Sequence, residues 1–438
     1  MSAGSLPVIK DKTANIASRP NIDASAVPKA KPRNWRVIHA CEYAHDVLTV
    51  VEGQVTAGMR PYIVTPYGAG SAELYRAQKN LEQPHSLSLL RAWQDVRNWR
   101  KSLLECDPES SADVVHAHSF ASGMAGVRNL SCVVYDSTSC IEELAISAGQ
   151  CEKGSWMARS FRVAEQFILS RAEALIVHSS GMKAAVEERG AQPESIFLIP
   201  QPVDLESESP LFENSFLQER FAISADTICY FLPDIASTEK DMVPDSVISV
   251  LESFAFVAKE LQNCALLVAA SRAGAESVRG HAGRLDISAK VFMVEEADAA
   301  AALQGADVVI ATAELPADLV LARHSNDVCV NSLRMGKPLL AADVARNRDC
   351  SPDGRGCLWF KEGDVKDLGY RMAFLGRNPD FRSALASSGR TYVFETRSPA
   401  AIGYLYDDVY RYALSRKKSN GSNQNNATSL QPATSAGW

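Results

Sequence analysis

Short apolar runs of strand length alternate with stretches of helical periodicity along most of the chain. Trp35–Ala40, Pro61–Thr65, Asp113–His116, Cys132–Tyr135, Ala174–His178 and Ile196–Pro200 read as one series of strands. Thr227–Leu232, Ala265–Ala270, Lys290–Val294, Asp307–Ala311, Pro338–Ala341 and Leu358–Phe360 read as a second. Helical spacing fills most of the gaps, over Ala72–Lys79, Leu89–Glu105, Met157–Arg171, Ser180–Glu188, Pro244–Leu261 and Ala297–Gln304. Continuous apolar strands alternating with helices predict parallel sheets covered on both faces. Two series of about six strands predict two Rossmann-like α/β domains in tandem. The linker falls at Gln201–Pro210, which has prolines near its start and at its end. Ile402, Leu405, Tyr406, Val409 and Tyr410 recur at helical spacing and predict a final helix over Pro399–Ser415.

This pattern divides the chain into an N-terminal Rossmann-like domain over 34–202, a second over 203–395 and a C-terminal helix over 396–417. Residues 1–33 are rich in Ala, Ser, Pro and Lys without periodicity, and residues 418–438 are polar and of low complexity; both are expected to be disordered. At 438 residues the chain is long enough for two domains. A net charge of −7 argues against a broad nucleic-acid surface. No apolar run approaches the roughly 18 residues of a membrane span, and the N-terminus lacks the apolar core of a secretory signal. The ten cysteines include no Cys-x-x-Cys, and several lie in apolar runs, so they read as buried thiols in a reducing cytoplasm without a structural zinc site. No Gly-x-Ser-x-Gly, Walker loop or His-Glu-x-x-His occurs, which leaves hydrolase, phosphate-cradling ATPase and zinc-protease readings without support.

Several segments, in order, resemble the retaining glycosyltransferase family four. Asp113-Val-Val-His-Ala-His118 resembles that family's strand ending in His-x-His, and Arg171-Ala-Glu-Ala-Leu-Ile-Val-His-Ser179 its helix-end, strand, serine segment. Ile199-Pro-Gln-Pro-Val-Asp204 resembles its interdomain linker. Gly305-Ala-Asp-Val-Val309, Gly336-Lys-Pro-Leu-Leu-Ala-Ala-Asp343 and Gly363-Asp364 resemble its donor-domain landmarks. The resemblance covers roughly residues 35–415 and implies the GT-B fold, in which two Rossmann-like domains face each other across a cleft.

By that resemblance His118 is the candidate catalytic residue, contacting the sugar in the cleft; a hydrogen-bonded strand-end histidine is the plain alternative. Strand alternation sends His116 and His118 to the same face. Lys240 stands where the family neutralises the donor diphosphate, but the partner arginine is missing and Asp234 lies nearby. Arg323 and Asn331 occupy the positions of the family's two donor-gripping glutamates, so Asn331 and Ser332 remain as hydroxyl ligands and Arg323 as a compensating cation. Glu314 could substitute only through a shifted alignment. His45 and Asp46 follow the first strand, where the family often has a glycine-rich loop, and are candidate acceptor contacts. Asp136 is another, equally well explained as a helix cap or Asx turn. Gly53 and Gly58 come too late to form a phosphate cradle.

The resemblance implies transfer of a sugar from a nucleoside-diphosphate sugar to a glycan, lipid-linked or small-molecule acceptor, with retention. It implies no cofactor beyond that co-substrate and no metal. The acidic, span-free chain points to a cytoplasmic enzyme with peripheral membrane contact where the acceptor is lipid-linked. The alternative is a catalytically inactive GT-B scaffold that binds or assembles partners in glycan synthesis, a reading favoured by the missing arginine and glutamates.

Overall fold

The computed structural model describes residues 34–41, 47–65, 68–70, 89–106, 112–129, 132–203, 216–235, 243–270, 272–313 and 328–428. The described chain from Trp35 to residue 203 builds one sheet. Its strands are β1 (Arg36–Ala40), β2 (Arg60–Thr65), β3 (Gly68–Gly70), β4 (Val114–Ala117), β5 (Val133–Asp136), β6 (Ala174–Val177) and β7 (Ile196–Leu198). Their order is β3-β2-β1-β4-β5-β6-β7, all parallel except the short antiparallel edge β3. The helices here are α1 (Leu48–Thr56), α2 (Leu89–Cys106), α3 (Phe120–Asn129), α4 (Ile141–Ser147), α5 (Trp156–Arg171) and α6 (Ser180–Glu188).

The second sheet runs β10-β9-β8-β11-β12-β13 and is wholly parallel. Its strands are β8 (Ile228–Ile235), β9 (Cys264–Ala270), β10 (Val291–Val294), β11 (Val308–Ala311), β12 (Leu339–Ala342) and β13 (Cys357–Phe360). Its helices are α7 (Phe216–Phe221), α8 (Asp245–Glu260), α9 (Arg272–Arg284), α10 (Ala299–Gly305), α11 (Val328–Arg334), α12 (Ala345–Arg348), α13 (Val365–Arg377) and α14 (Pro379–Arg397). Each sheet reverses direction once, between β1 and β4 and between β8 and β11. At such a switch point the outgoing loops diverge and leave a crevice at the carboxyl ends of the strands.

Period two divides each strand between the two faces of its sheet. In the first sheet Ile38, Ala40, Val115, Ala117, Val133 and Tyr135 face α2 and α3. Val37, Val114, Val134, Ala174 and Ile176 face the other way and pack against the last helix, α15 (Pro399–Thr428), through Ile402, Tyr406, Val409, Tyr410 and Ala413. The apolar stripe read from the sequence is therefore the face that closes the first sheet. The helix continues past residue 417, where the sequence reading ended it, as far as Thr428; no proline interrupts its polar end.

Helices α1 and α15 cross with their backbones almost in contact. A Cβ on Gly53 would stand 1.9 Å from the carbonyl oxygen of Pro399, and one on Gly403 would stand 2.1 Å from that of Gly53. Only two glycines permit this approach. Gly53 is thus a packing residue, while Gly58 supplies the positive φ of 81° that ends α1.

The two halves also touch directly. Asp349 accepts hydrogen bonds from the backbone nitrogen and the hydroxyl of Ser180, both at 2.9 Å, and so caps α6 from the other domain. Within the second half, Arg397, buried at the end of α14, donates to the carbonyls of Asp349 and Cys350 and steadies that capping residue.

Candidate functional site

Four neighbouring strand ends of the first sheet converge on one group of side chains. His39 lies on β1, His116 on β4, His118 just beyond β4, Asp136 at the end of β5 and His178 just beyond β6. His39 and His116 are direct partners in the parallel pairing of β1 with β4, and so straddle the switch point. Asp136 is likewise paired with Ile176, two residues before His178. All five share the parity of Val37, Val114, Val134 and Ile176, so they point to the face that α1 and α15 cover. Four of the chain's eight histidines meet there.

Asp136 is the hub. Its Oδ1 is 2.9 Å from His178 Nε2, and its Oδ2 is 3.3 Å from His118 Nδ1 and 3.7 Å from His116 Nε2. His178 Nδ1 donates to the carbonyl of Ile199 at 2.7 Å. Both of its ring nitrogens therefore face acceptors, which requires a proton on each. Burial alone would lower the His178 pKa, but the Asp136 charge and the two hydrogen bonds outweigh it and raise it. Burial would likewise raise Asp136, yet the positive His178 and the three histidine contacts hold it well below the carboxylate range. The result is a buried ion pair between His178 and Asp136.

A chain of hydrogen bonds fixes the other rings. Gln54 of α1 donates through its amide nitrogen to the Tyr410 hydroxyl at 2.7 Å, and its amide oxygen accepts from His39 Nε2 at 2.8 Å. His39 Nδ1 then accepts from His118 Nε2 at 2.9 Å, and Tyr410 sits 2.9 Å from His116 Nδ1. Burial, with neighbouring histidines adding to it, lowers His39 well below 6.5 and brings His116 down to about 3, so both rings are neutral. His39 and His116 are fully buried, whereas the His118 side chain is 10% exposed and that of His178 14%. These two rings are where the cluster meets the outside.

The second sheet carries a cavity of about 130 Å³ at the ends of β11, β12 and β13, bordered by the start of α8. Thr312, Ser246 and Ser249 supply hydroxyls there, and Asp245, Glu362 and Asp364 supply carboxylates. Its described lining contains no cation, so it suits a hydroxyl-rich group better than a phosphate.

The sequence candidates fare differently. His118 stands at the edge of the cluster, with both ring nitrogens turned inward to His39 and Asp136. Asp136, read as an acceptor contact or a cap, is 3% exposed and is committed to three histidines instead. Ser332 was expected to bind a donor hydroxyl, but it is buried in α11 and gives its hydroxyl to the Val328 carbonyl at 2.6 Å. The helix offers that acceptor four residues back, and the buried hydroxyl takes it. Asn331 is half-buried on the same helix. His45, Asp46, Lys240, Arg323 and Glu314 lie outside the described residues, as do the 72–79 helix, the 1–33 arm and residues 429–438. His39, His178, Gln54 and Tyr410 were not among the expected site residues, although His178 stands in the Arg171–Ser179 segment and Tyr410 in the helical stripe. A signal for the histidines was present, since each breaks or ends an apolar strand with the same parity as Asp136.

Comparison with known proteins agrees with this architecture. Residues 40–202 match the family model of the glycosyl transferase 4-like domain. The fold is GT-B. A glycosyltransferase from Rickettsia africae superposes with a TM-score of 0.60 at 11% identity, covering 87% of this chain and 99% of that one. Anabaena HepE in complex with UDP gives 0.57 at 12% identity, over 86% and 99%. Sucrose-phosphate synthase from Thermosynechococcus elongatus gives 0.52 at 15%, over 87% and 100%. No curated protein sequence matches the chain. Within this GT-B fold the histidine cluster occupies the switch point of the first domain and the acidic cavity the strand ends of the second. Among the described residues no helix is long and apolar enough to cross a membrane.

Proposed function

We propose that the protein transfers a sugar, with retention, from a nucleoside-diphosphate sugar to a glycan, lipid-linked or small-molecule acceptor. The observation that carries this reading is the convergence of four strand ends on the Asp136 cluster, with His118 at its rim. A glycosyl transition state gathers positive charge on the sugar ring. The Asp136 carboxylate, held in place by His178 and 3.3 Å from the His118 ring, would be preorganised to stabilise positive charge gathering at that rim. His118 would reach the donor sugar by giving up one of its two inward hydrogen bonds. The hydroxyls and carboxylates around the second-domain cavity would hold sugar or ribose hydroxyls, leaving the diphosphate to Lys240 and Arg323. HepE has been crystallised with UDP and with UDP-glucose, which supports a uridine carrier as the first donor to try.

The test is thermal shift against a panel of nucleoside diphosphates and their sugars, followed by transfer assays on any donor that binds. A ligand at one hundred times its Kd should add about 2.7 kcal/mol of stability. Lys240→Ala and Arg323→Ala should each weaken binding ten- to a hundredfold, the effect of losing a charge-assisted hydrogen bond of about 1.5–3 kcal/mol. His118→Ala should abolish transfer while leaving donor binding measurable. No response to any nucleotide would replace this reading with the inactive scaffold.

A further inference from the structure

We infer that His39, His116 and His118 form a binding site for one divalent transition-metal ion of the zinc type. One ring nitrogen from each lies within 4.8 Å of the other two. Metal–imidazole bonds of about 2.0–2.1 Å place tetrahedral ligand nitrogens about 3.4 Å apart, so small ring movements suffice.

The second nitrogen of each ring is what singles these histidines out. His39 keeps Nε2–H on the amide oxygen of Gln54, His118 has Nδ1 against the Asp136 carboxylate, and His116 has Nδ1 against the Tyr410 hydroxyl. A metal-bound imidazole is normally held in this way by an outer partner on its other nitrogen. The nitrogens left facing inward are His39 Nδ1, His118 Nε2 and His116 Nε2. His116 Nε2 is fully buried and, with Asp136 Oδ2 3.7 Å away, has no hydrogen-bond partner among the described residues. The Tyr406 hydroxyl, on a ring 5.4 Å from that of His116, is also buried without one. An ion would replace the hydrogen between His39 and His118; His118 would then carry its hydrogen on Nδ1, where Asp136 accepts it, and His116 would move its hydrogen from Nε2 to Nδ1, where the Tyr410 oxygen accepts it. The carboxylate would offset part of the ion's charge. Three nitrogen donors select zinc, cobalt, nickel or copper over magnesium and calcium, which require oxygen. The fourth position would open at the His118 rim. Because His118 serves both roles, a bound ion and sugar transfer would exclude one another.

Cys-x-x-Cys or His-x-x-x-His spacing could not have announced this site, since its ligands come from two strands 77 residues apart, with only His116 and His118 close in sequence.

The experiment titrates the full chain, freed of metal and of any polyhistidine tag, with Co²⁺ while recording visible absorption. One equivalent should give the intense bands of a four- or five-coordinate ion. Zn²⁺ should displace it and Mg²⁺ should not. His118→Asn should lower the affinity about 100-fold or more, and Gln54→Ala about tenfold. His281→Asn, on α9, should change nothing. Circular dichroism confirms that each variant folds. If His118→Asn does not fold, nitrogen NMR of the unaltered chain with Zn²⁺ should shift the rings of His39, His116 and His118 and leave His281 in place. An absent or non-saturating cobalt spectrum overturns the proposal. So does one that survives in folded His118→Asn, or a zinc shift centred on other histidines. No sugar donor is present in these measurements, so their failure leaves the transfer reading standing, and the failure of transfer leaves the ion site standing.

Discussion

His178 and Asp136 behave as a unit because neither charge is tolerable at that depth without the other. Removing one partner of a buried pair strands the remaining charge and costs about 3–5 kcal/mol. Asp136→Asn should therefore destabilise the protein by that amount in denaturant unfolding. The raised His178 pKa fixes the sign of the pH dependence. The folded ring keeps its proton above the unfolded value of 6.5, so its contribution is complete below that pH and is lost as pH rises through the folded value. Imidazole NMR should find His178 titrating above the ordinary 6.5 in the parent, and lower in Asp136→Asn.

Glu165 of α5 gives a pH dependence of the same sign. It is fully buried, and burial pushes it up to about 7 even though Ile141 donates to it and Arg189 lies 3.4 Å away. Between 4.5 and 7 the folded state holds a proton that the unfolded state has released, so stability falls as pH rises, by about 3 kcal/mol in all. Glu165→Gln should gain on the parent between pH 5 and pH 8 by up to that amount. An unchanging difference in unfolding free energy between the two pH values would refute the assignment.

At the scale of elements, α15 matters more than its place at the end of the chain suggests. It covers one face of the first sheet and brings Tyr410 to within hydrogen-bonding distance of both Gln54 and His116. Its seat on α1 depends on Gly53 and Gly403, whose backbones leave no room for a side chain. Gly53→Ala should cost about 3 kcal/mol or more, at the upper end of overpacking effects, and should loosen the histidine cluster, because α1 also carries Gln54. Thermal melting reads the first effect, and imidazole NMR the second. A near-neutral Gly53→Ala would mean that the helices separate easily.

For the whole molecule, one contact between the halves is polar. Asp349 joins them by capping α6 through Ser180, while its own carbonyl accepts from Arg397. Losing such a cap costs about 1 kcal/mol. Asp349→Ala should lower the melting temperature modestly and increase the spread of interdomain distances seen by small-angle scattering or paired spin labels. An unchanged distance distribution would show that other contacts hold the halves together.

Local patterning carried much of this architecture. Apolar runs of strand length separated by helical repeats are a direct record of parallel sheets buried on both faces, and period two alone puts His116 and His118 on one side. The stripe Ile402, Tyr406, Val409 and Tyr410 likewise announced a helix with a face to bury. What periodicity does not encode is which strands become neighbours, and in what register. His39 and His116 face each other because β1 pairs with β4, and Asp136 and His178 join them because β5 and β6 come next in the sheet. Tyr410 arrives from 294 residues beyond His116. Asp136, read from the sequence as an acceptor contact or equally a helix cap or Asx turn, lies buried as the hub of the cluster, while Ser332, read as a donor ligand, is bonded to its own helix. The sequence determined the secondary elements and the face each residue would take. Strand order and the closing helix decided which of those faces met, because contact across a sheet depends on long-range pairing that local periodicity leaves open.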